Sequence, residues 1–395
     1  MGNLVNYKDT WKLVIHTDLS PIFEREATIK QYLSKTKKMC GTTSLELQRI
    51  CKAFSTSSKA RLQEIDAKLE YVKETILDPQ SKRKRGLIDG LGSLAKSLFG
   101  TMDAEDAKLI NKQITAFNKE GSALKTALKN QVQITKANLR MINETAANAE
   151  HNEMILFNLT SHIKEQMDEG FRLESFREEL DEHFIILSLY IEMFHGCVQD
   201  LVEYLVEIQK GILYPGIVSY PKIIKLLKES LEHLPQGLNY PIALIPENAR
   251  YLKEISEIEA YSEGNSIVTI IKIPLTSSQE YHVNRIHSLP VHMKNGTYAY
   301  IKAEEKYAIV GHEMQTFIRM TRTELDNCKK IKDQYLCEAR HPVFKIRPYG
   351  SCETQLFTNP SSYPLSCETR QIKIENTLLI EMENPNSSIV VPSIM

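Results

Sequence analysis

A chain of 395 residues with a net charge of −1 and 42% hydrophobic residues has enough apolar content for a folded core of two or more domains. Its basic residues are scattered among acidic ones, which excludes the broad electrostatic footprint of a nucleic-acid binder. No run approaches the roughly 20 apolar residues that span a bilayer, and the best, FIILSLYIEMF from Phe184, is shorter and contains Glu192.

The start, MGNLVNYKDTWKLVIHTDLS, lacks both the apolar core of a signal peptide and the Ser or Thr of a myristoylation signal. Its stretch WKLVIHTDLSPIF reads as a strand. A helical pattern follows, with Leu62, Ile65, Leu69 and Val72 recurring at three and four residues on one apolar face. Asp78-Pro79-Gln80-Ser81 breaks that pattern and is expected to expose the basic cluster Lys82-Arg83-Lys84-Arg85 to proteases.

An apolar, glycine-rich run comes next. On a helix, Leu87, Leu91, Leu94 and Leu98 form one stripe, flanked by Ile88, Ala95 and Phe99. Gly86, Gly90, Gly92 and Gly100 each lower helix propensity by about 1 kcal/mol relative to Ala, which a permanent core helix would not normally accept. The stripe is too short to cross a membrane but suits insertion at its interface. A solvated surface helix behind a basic loop is the competing reading.

From Asp103 a proline-free pattern continues to about Gly170. Ile110, Ile114, Phe117, Gly121, Leu124 and Leu128 make a heptad seam. After a four-residue stutter the seam moves to Val132, Thr135, Leu139, Ile142, Ala146 and Ala149, and a further seam runs through Leu156, Leu159 and Ile163. Thr and Ala in the seam predict a weak coiled coil, broken in one state and continuous in another; an ordinary dimerisation helix is the simpler use of such a pattern. A second apolar helix is predicted over Leu180 to Lys210. Prolines then punctuate a short amphipathic helix, KIIKLLKESLEHL, and from Ser266 the segments SIVTIIKIPL, EYHVNRI, TYAYIKA and KYAIV read as strands.

Seven cysteines occur, and Cys328, Cys337, Cys352 and Cys367 fall together in the turn- and strand-rich tail without zinc spacing, which points to disulfides. Sequons stand at Asn143, Asn158, Asn295 and Asn386. Together they imply a secreted or surface location. Without a leader, this predicts that the chain is a piece of a longer precursor. No phosphate-binding glycine loop, zinc-protease helix or G-x-S-x-G elbow occurs, so neither an enzyme nor a cofactor or metal site is expected.

The run KRKRGLIDGLGSLAKSLFGTMDAEDA resembles the junction of the fusion glycoproteins of baculoviruses and of their relatives, the envelope proteins of gypsy-like insect errantiviruses. Support comes from WKLVIHTDLSPIFE, CGTTSLELQRIC, KGILYPGIVSYPKIIKLLKESLEHLPQGLNYPI, IPLTSSQEYHVNRIHSLPV and the four C-terminal cysteines. The resemblance implies an α+β, class I fusion-protein ectodomain similar to paramyxovirus fusion proteins. Its parts would be an N-terminal fragment (1–85), a fusion peptide (86–102), a heptad region (103–170), a second helical segment (171–212) and a β-rich, cysteine-containing region (213–395). It implies cleavage after Arg85 by a furin-like host protease, with Gly86 as the new N-terminus, a homotrimer, and insertion into target membrane lipids; a host receptor is implied but not identified. Lys82 stands where furin-type enzymes favour Arg.

The expected disulfides are Cys51–Cys197, linking the two fragments, with Cys328–Cys337 and Cys352–Cys367; Cys40–Cys51 competes for the first. The absence of an anchor after Met395 fits a truncated ectodomain. A captured envelope that binds a receptor or interferes with infection without fusing is the alternative, and a cytosolic coiled-coil scaffold a third reading. His151, His162 and His195 are candidate pH sensors.

Overall fold

The computed structural model describes the chain except residues 1, 42–44, 77–95, 101–103, 121–123, 128–130, 137–139, 170–172, 294–295, 304, 348–349, 359–365, 382–386 and 393–395. The first half runs β1 (Asn3–Asp18), α1 (Ser20–Cys40), α2 (Leu45–Ile76), β2 (Lys96–Phe99), α3 (Ala104–Glu120), β3 (Leu124–Ala127), β4 (Val132–Lys136), α4 (Arg140–Glu169) and α5 (Leu173–Gln209). Next come α6 (Tyr220–Glu229), β5 (Leu238–Asn239), α7 (Ala249–Ile255), β6 (Glu257–Glu263), β7 (Ser266–Arg285), β8 (Val291–His292) and β9 (Thr297–Lys302). The order closes with β10 (Tyr307–Gly311), β11 (Thr316–Met320), α8 (Arg322–Asp326), β12 (Lys329–Ile331), β13 (Gln334–Glu338), β14 (Phe344–Lys345), α9 (Cys352–Thr358), β15 (Glu368–Lys373), β16 (Leu378–Glu381) and β17 (Ser388–Val391).

Two long strands, β1 and β7, pair antiparallel and organise the main sheet. On its other edge β1 takes two parallel partners in succession, β13 along Asn3–Tyr7 and β4 along Lys12–His16. Register shifts between Val5 and Asp9 separate the two stretches. The second edge of β7 holds β6 at its start and β10 at its end. Alternation along β1 explains why it sits centrally. Val5, Trp11, Leu13 and Ile15 point into the main helix-covered core, whereas Val14 and Leu4 point into two other clusters. Trp11 is fully buried, and its indole N–H donates to Gln133, whose amide in turn donates to the Leu226 carbonyl. Both buried amide groups are thereby satisfied.

The helices α1, α2, α4 and α5 form the second layer. In α5, Leu187, Tyr190, Ile191, Phe194, Val198, Leu201, Leu205 and Ile208 recur at helical spacing and are all buried. By length and composition α5 could cross a membrane, but here its apolar face is the centre of the protein core. It ends at Gly211, which takes the left-handed conformation (φ +72°) and donates its N–H to the Ile208 carbonyl.

Two expectations are corrected. The segment from 103 to 170 is not one rod: helix α3 is followed by the antiparallel β3–β4 pair and then by α4. The β-branched run Val132-Gln-Ile-Thr135 pairs with β1 instead of continuing a helix, because a buried strand position offers Val and Ile more than a weak seam containing Thr and Ala does. The second correction is the Cys51–Cys197 bridge. Cys51 pairs with Cys40, closing the α1–α2 hairpin, and Cys197 is a buried thiol on α5. A short link between adjacent helix ends wins over a distant one, because the hairpin already brings the two Cα atoms to 5.9 Å. The other two bridges, Cys328–Cys337 and Cys352–Cys367, are as expected.

Candidate functional site

The glycine-rich run re-enters the described structure at β2, which pairs antiparallel with β6 on the edge of the main sheet. In that register Lys96 lies opposite Ser262. The Ser262 hydroxyl donates to the carbonyl of Ile76, the last residue of α2, at 2.7 Å. The last described residue before the basic cluster, Ile76, and the first after it, Lys96, therefore lie beside one buried serine. The intervening residues hold Lys82, Arg83, Lys84, Arg85, Gly86, Leu87, Ile88, Leu91 and Leu94 and lie outside the described residues.

The end of the run is held firmly. Leu98 packs against the main core. The Phe99 ring lies against Gly211, where a Cβ atom would come within 2.3 Å of the ring. Gly211 is thus required twice, for its positive φ and for the space its missing side chain leaves to Phe99. At Gly100, φ is +79° and the Ser97 hydroxyl donates to its carbonyl, turning the chain out of β2.

The heptad residues then divide. Ile110, Ile114 and Phe117 on α3 are buried with Val132 and Ile134 on β4, and with Val14, Tyr261, Val268 and Ile270 of the sheet. Leu124 lies on β3 and Ile142 on α4, described by backbone alone; Leu128 and Leu139 are outside the described residues. Lys12 on β1 meets Asp106 on α3 at 2.6 Å, fixing α3 over the sheet. Of the sequons, Asn158 is exposed on α4 and Asn143 lies on α4, while Asn295 and Asn386 fall outside the described residues.

Of the proposed sensor histidines, His151 is exposed on α4 and His162 is exposed beside Glu179 at 3.0 Å. His195 sits 2.8 Å from the Lys68 ammonium and 3.5 Å from Glu64, and partial burial, followed by the Lys68 charge, holds it below the ordinary histidine range. The sequence reading missed His183, on α5. It is fully buried, and its Nε2 lies 2.8 Å from the Thr36 hydroxyl of α1. That hydroxyl donates to the Tyr32 carbonyl, so it accepts from Nε2–H, and Nδ1 has no partner among the described residues. Burial pushes this imidazole down to about 4. The signal was one buried-phase position in the pattern: His183 precedes Phe184 and lies one helical turn before Leu187.

The three disulfides found among the described residues each lie within one side of the Arg85–Gly86 boundary. Across it, β1 is bonded to β4, β7 and β13, all from the C-terminal side.

The chain is thus an α+β protein with short-range disulfides, a central strand contributed from before the basic cluster, and β2 paired to the edge of its main sheet. The family model described as Baculovirus F protein matches residues 1–389, and the chain belongs to that family. One relative, the "Envelope fusion protein" of Lymantria dispar multicapsid nuclear polyhedrosis virus, is 22% identical over 338 residues, which cover 84% of this chain and 46% of that protein. The chain thus spans about half the length of the curated relative it matches.

Proposed function

We propose that this chain is the ectodomain portion of an envelope fusion glycoprotein, carried on the virion envelope and cell surface as part of a membrane-anchored homotrimer. A furin-like protease cuts after Arg85. The segment 86–102 then acts as a fusion peptide that enters target membrane lipids. Residues 104–169 re-form as a continuous coiled coil, which carries that segment away from β6. The supporting observation is the packing of the described flanks: Ile76 and Lys96 both adjoin Ser262, and the heptad side chains Ile110, Ile114 and Phe117 pack on the sheet that holds Val132 in β4. Elements held apart by tertiary packing, with the periodicity of a single helix, form the bistable arrangement that a fusion switch needs. A receptor-binding envelope that does not fuse is the second reading, and Lys82 in the cleavage motif favours it.

The test is secretion of the chain from insect cells behind an added signal peptide, followed by electrophoresis with and without reductant and by gel filtration. The proposal expects two fragments on both gels, the larger starting at Gly86, eluting together under native conditions through the β1 pairings. A single uncut chain moves the reading to the non-fusing envelope.

A further inference from the structure

The outer face of the α1–α2 hairpin changes character along its length. Near the sheet its charges are matched: Lys30 pairs with Glu26 at 2.6 Å and with Asp66 at 2.9 Å, and Lys73 pairs with Glu26 at 3.2 Å. The Lys30–Asp66 contact marks which stripes of the two helices meet on this surface. Seven residues are two helical turns, so Lys37 continues the Lys30 stripe of α1, and Lys59 and Lys52 continue the Asp66 and Lys73 stripe of α2. Toward the Cys40–Cys51 bridge that surface therefore carries Lys37, Lys52 and Lys59, with Arg49 one turn before Lys52. All four are exposed, and no ion pair engages them among the described residues. Between residues 34 and 60 the chain has six cations and a single acid, Glu46. Glu178, Asp181 and Glu182 at the neighbouring start of α5 are not paired with these cations; the described partner of Asp181 is Arg177.

A shallow depression of about 530 Å³ lies beside the stripe, lined by Arg49, Lys52, Ala53, Thr56, Ser57 and Ala60. Small side chains make its floor, and two hydroxyls and two cations edge it. From Arg49 to Lys59 the positive charge extends over about 15 Å at 1.5 Å per residue.

We propose that this disulfide-pinned end of the α1–α2 hairpin binds a linear sulfated polysaccharide. Charges spaced along a straight helix match a polymer whose sulfates repeat along its length, and the open depression with hydroxyl edges accommodates sugar rings. Anionic lipid is the poorer fit, because no large apolar side chain is exposed among the described residues of α1 and α2, leaving nothing to enter a bilayer. Nucleic acid is the poorer fit because the three disulfides place this surface in an oxidising exterior. The proposal is independent of cleavage and of fusion.

The experiment measures binding of the whole secreted chain to immobilised heparin across a salt series, with phosphatidylserine vesicles as the comparison surface. The wild type is expected to bind heparin at physiological salt, with affinity falling steeply as salt rises. The R49S/K52S/K59S variant is expected to lose about tenfold or more in affinity with an unchanged melting temperature. On the same surface, K30S/K73S removes cations already matched by Glu26 and Asp66 and is expected to stay within about twofold of the wild type. The proposal is overturned if the wild type does not bind heparin at physiological salt. Wild-type affinity in R49S/K52S/K59S overturns it too, as does retention on the vesicles but not on heparin.

Discussion

Residues 104–169 and helix α5 carry the same kind of apolar periodicity, yet only α5 is a single helix. Its buried face, from Leu187 through Ile191, Phe194, Val198, Leu201 and Leu205 to Ile208, enters one core that also receives β1, α1 and α2. The earlier segment has no such single host. Ile110, Ile114 and Phe117 find a pocket over the sheet, Val132 and Ile134 find a free edge of β1, and Leu156 and Ile163 join the helical layer. Helical periodicity therefore states what a segment is able to do, and the partner surfaces decide whether it does so. A segment whose apolar residues are shared among three partners is the one that can be re-formed at least cost.

The sharpest way to break that contrast is to empty one host at a time. Leu201→Ala in α5 and Ile134→Ala in β4 each remove a fully buried side chain and are expected to cost about 2–5 kcal/mol in denaturant melts. Hydrogen exchange separates them: I134A is expected to release the β3–β4 amides while α5 stays protected, and L201A to loosen the helical layer as a whole. Equal loss of protection across both regions in I134A would contradict the division drawn above.

Gly211→Ala is next, at about 2–4 kcal/mol from left-handed backbone strain plus the collision with Phe99. The expected readout is faster limited proteolysis after Ile76 and before Gly100, with α5 intact. Unchanged cleavage would mean that Phe99 is not the anchor of β2.

Smaller again, Gln133→Leu leaves the buried Trp11 indole N–H without its acceptor and removes one of the two hydrogen bonds to the Leu226 carbonyl, which keeps the Ser230 N–H, and is expected to cost about 1–3 kcal/mol. Trp11 is the chain's one tryptophan, so its fluorescence reports the change directly. A melt indistinguishable from the wild type would show that this link does not fasten β4.

An effect of similar size concerns pH. With its folded value held down to about 4, His183 is neutral in both states above about pH 6.5; below that, the unfolded chain takes up a proton that the folded chain does not. Stability is thus complete at neutral pH and falls as pH drops toward 4, by about 2 kcal/mol between pH 7 and pH 5. Gln at this position keeps a donor for Thr36 without titrating. H183Q is therefore expected to lose less of its melting temperature over that interval, and an equal loss would assign the acid sensitivity elsewhere.

Much of this organisation lies where local patterning put it. The strand around Trp11 does so only as far as Asp18, beyond which Ser20–Phe23 open α1 instead. The helix through Leu62, Ile65, Leu69 and Val72, the apolar helix around Phe184, and the strands from Ser266 onward all lie where local patterning put them. So do the two C-terminal disulfides, whose short spacing leaves the chain few other geometries. The stowed end of the glycine-rich run was readable only as an amphipathic stripe; that Leu98 and Phe99 belong to a strand depends on β6 and Gly211, more than a hundred residues away. The basic end of the α1–α2 hairpin escaped notice because its cations are separated in sequence and gather only when the Cys40–Cys51 hairpin closes.

By itself the sequence determined the periodicities, the breaks at proline and glycine, the basic cluster and the family, because these are properties of neighbours along the chain. Tertiary structure alone decided that Val132–Lys136 is a strand and that Cys51 reaches Cys40 and not Cys197. It also decided that β1, from before the basic cluster, is the central strand of a sheet whose other strands all come from the C-terminal side of that cluster. In each case two local options lay close in free energy. The choice fell to whichever one buried more apolar surface and satisfied more backbone hydrogen bonds against partners distant in sequence.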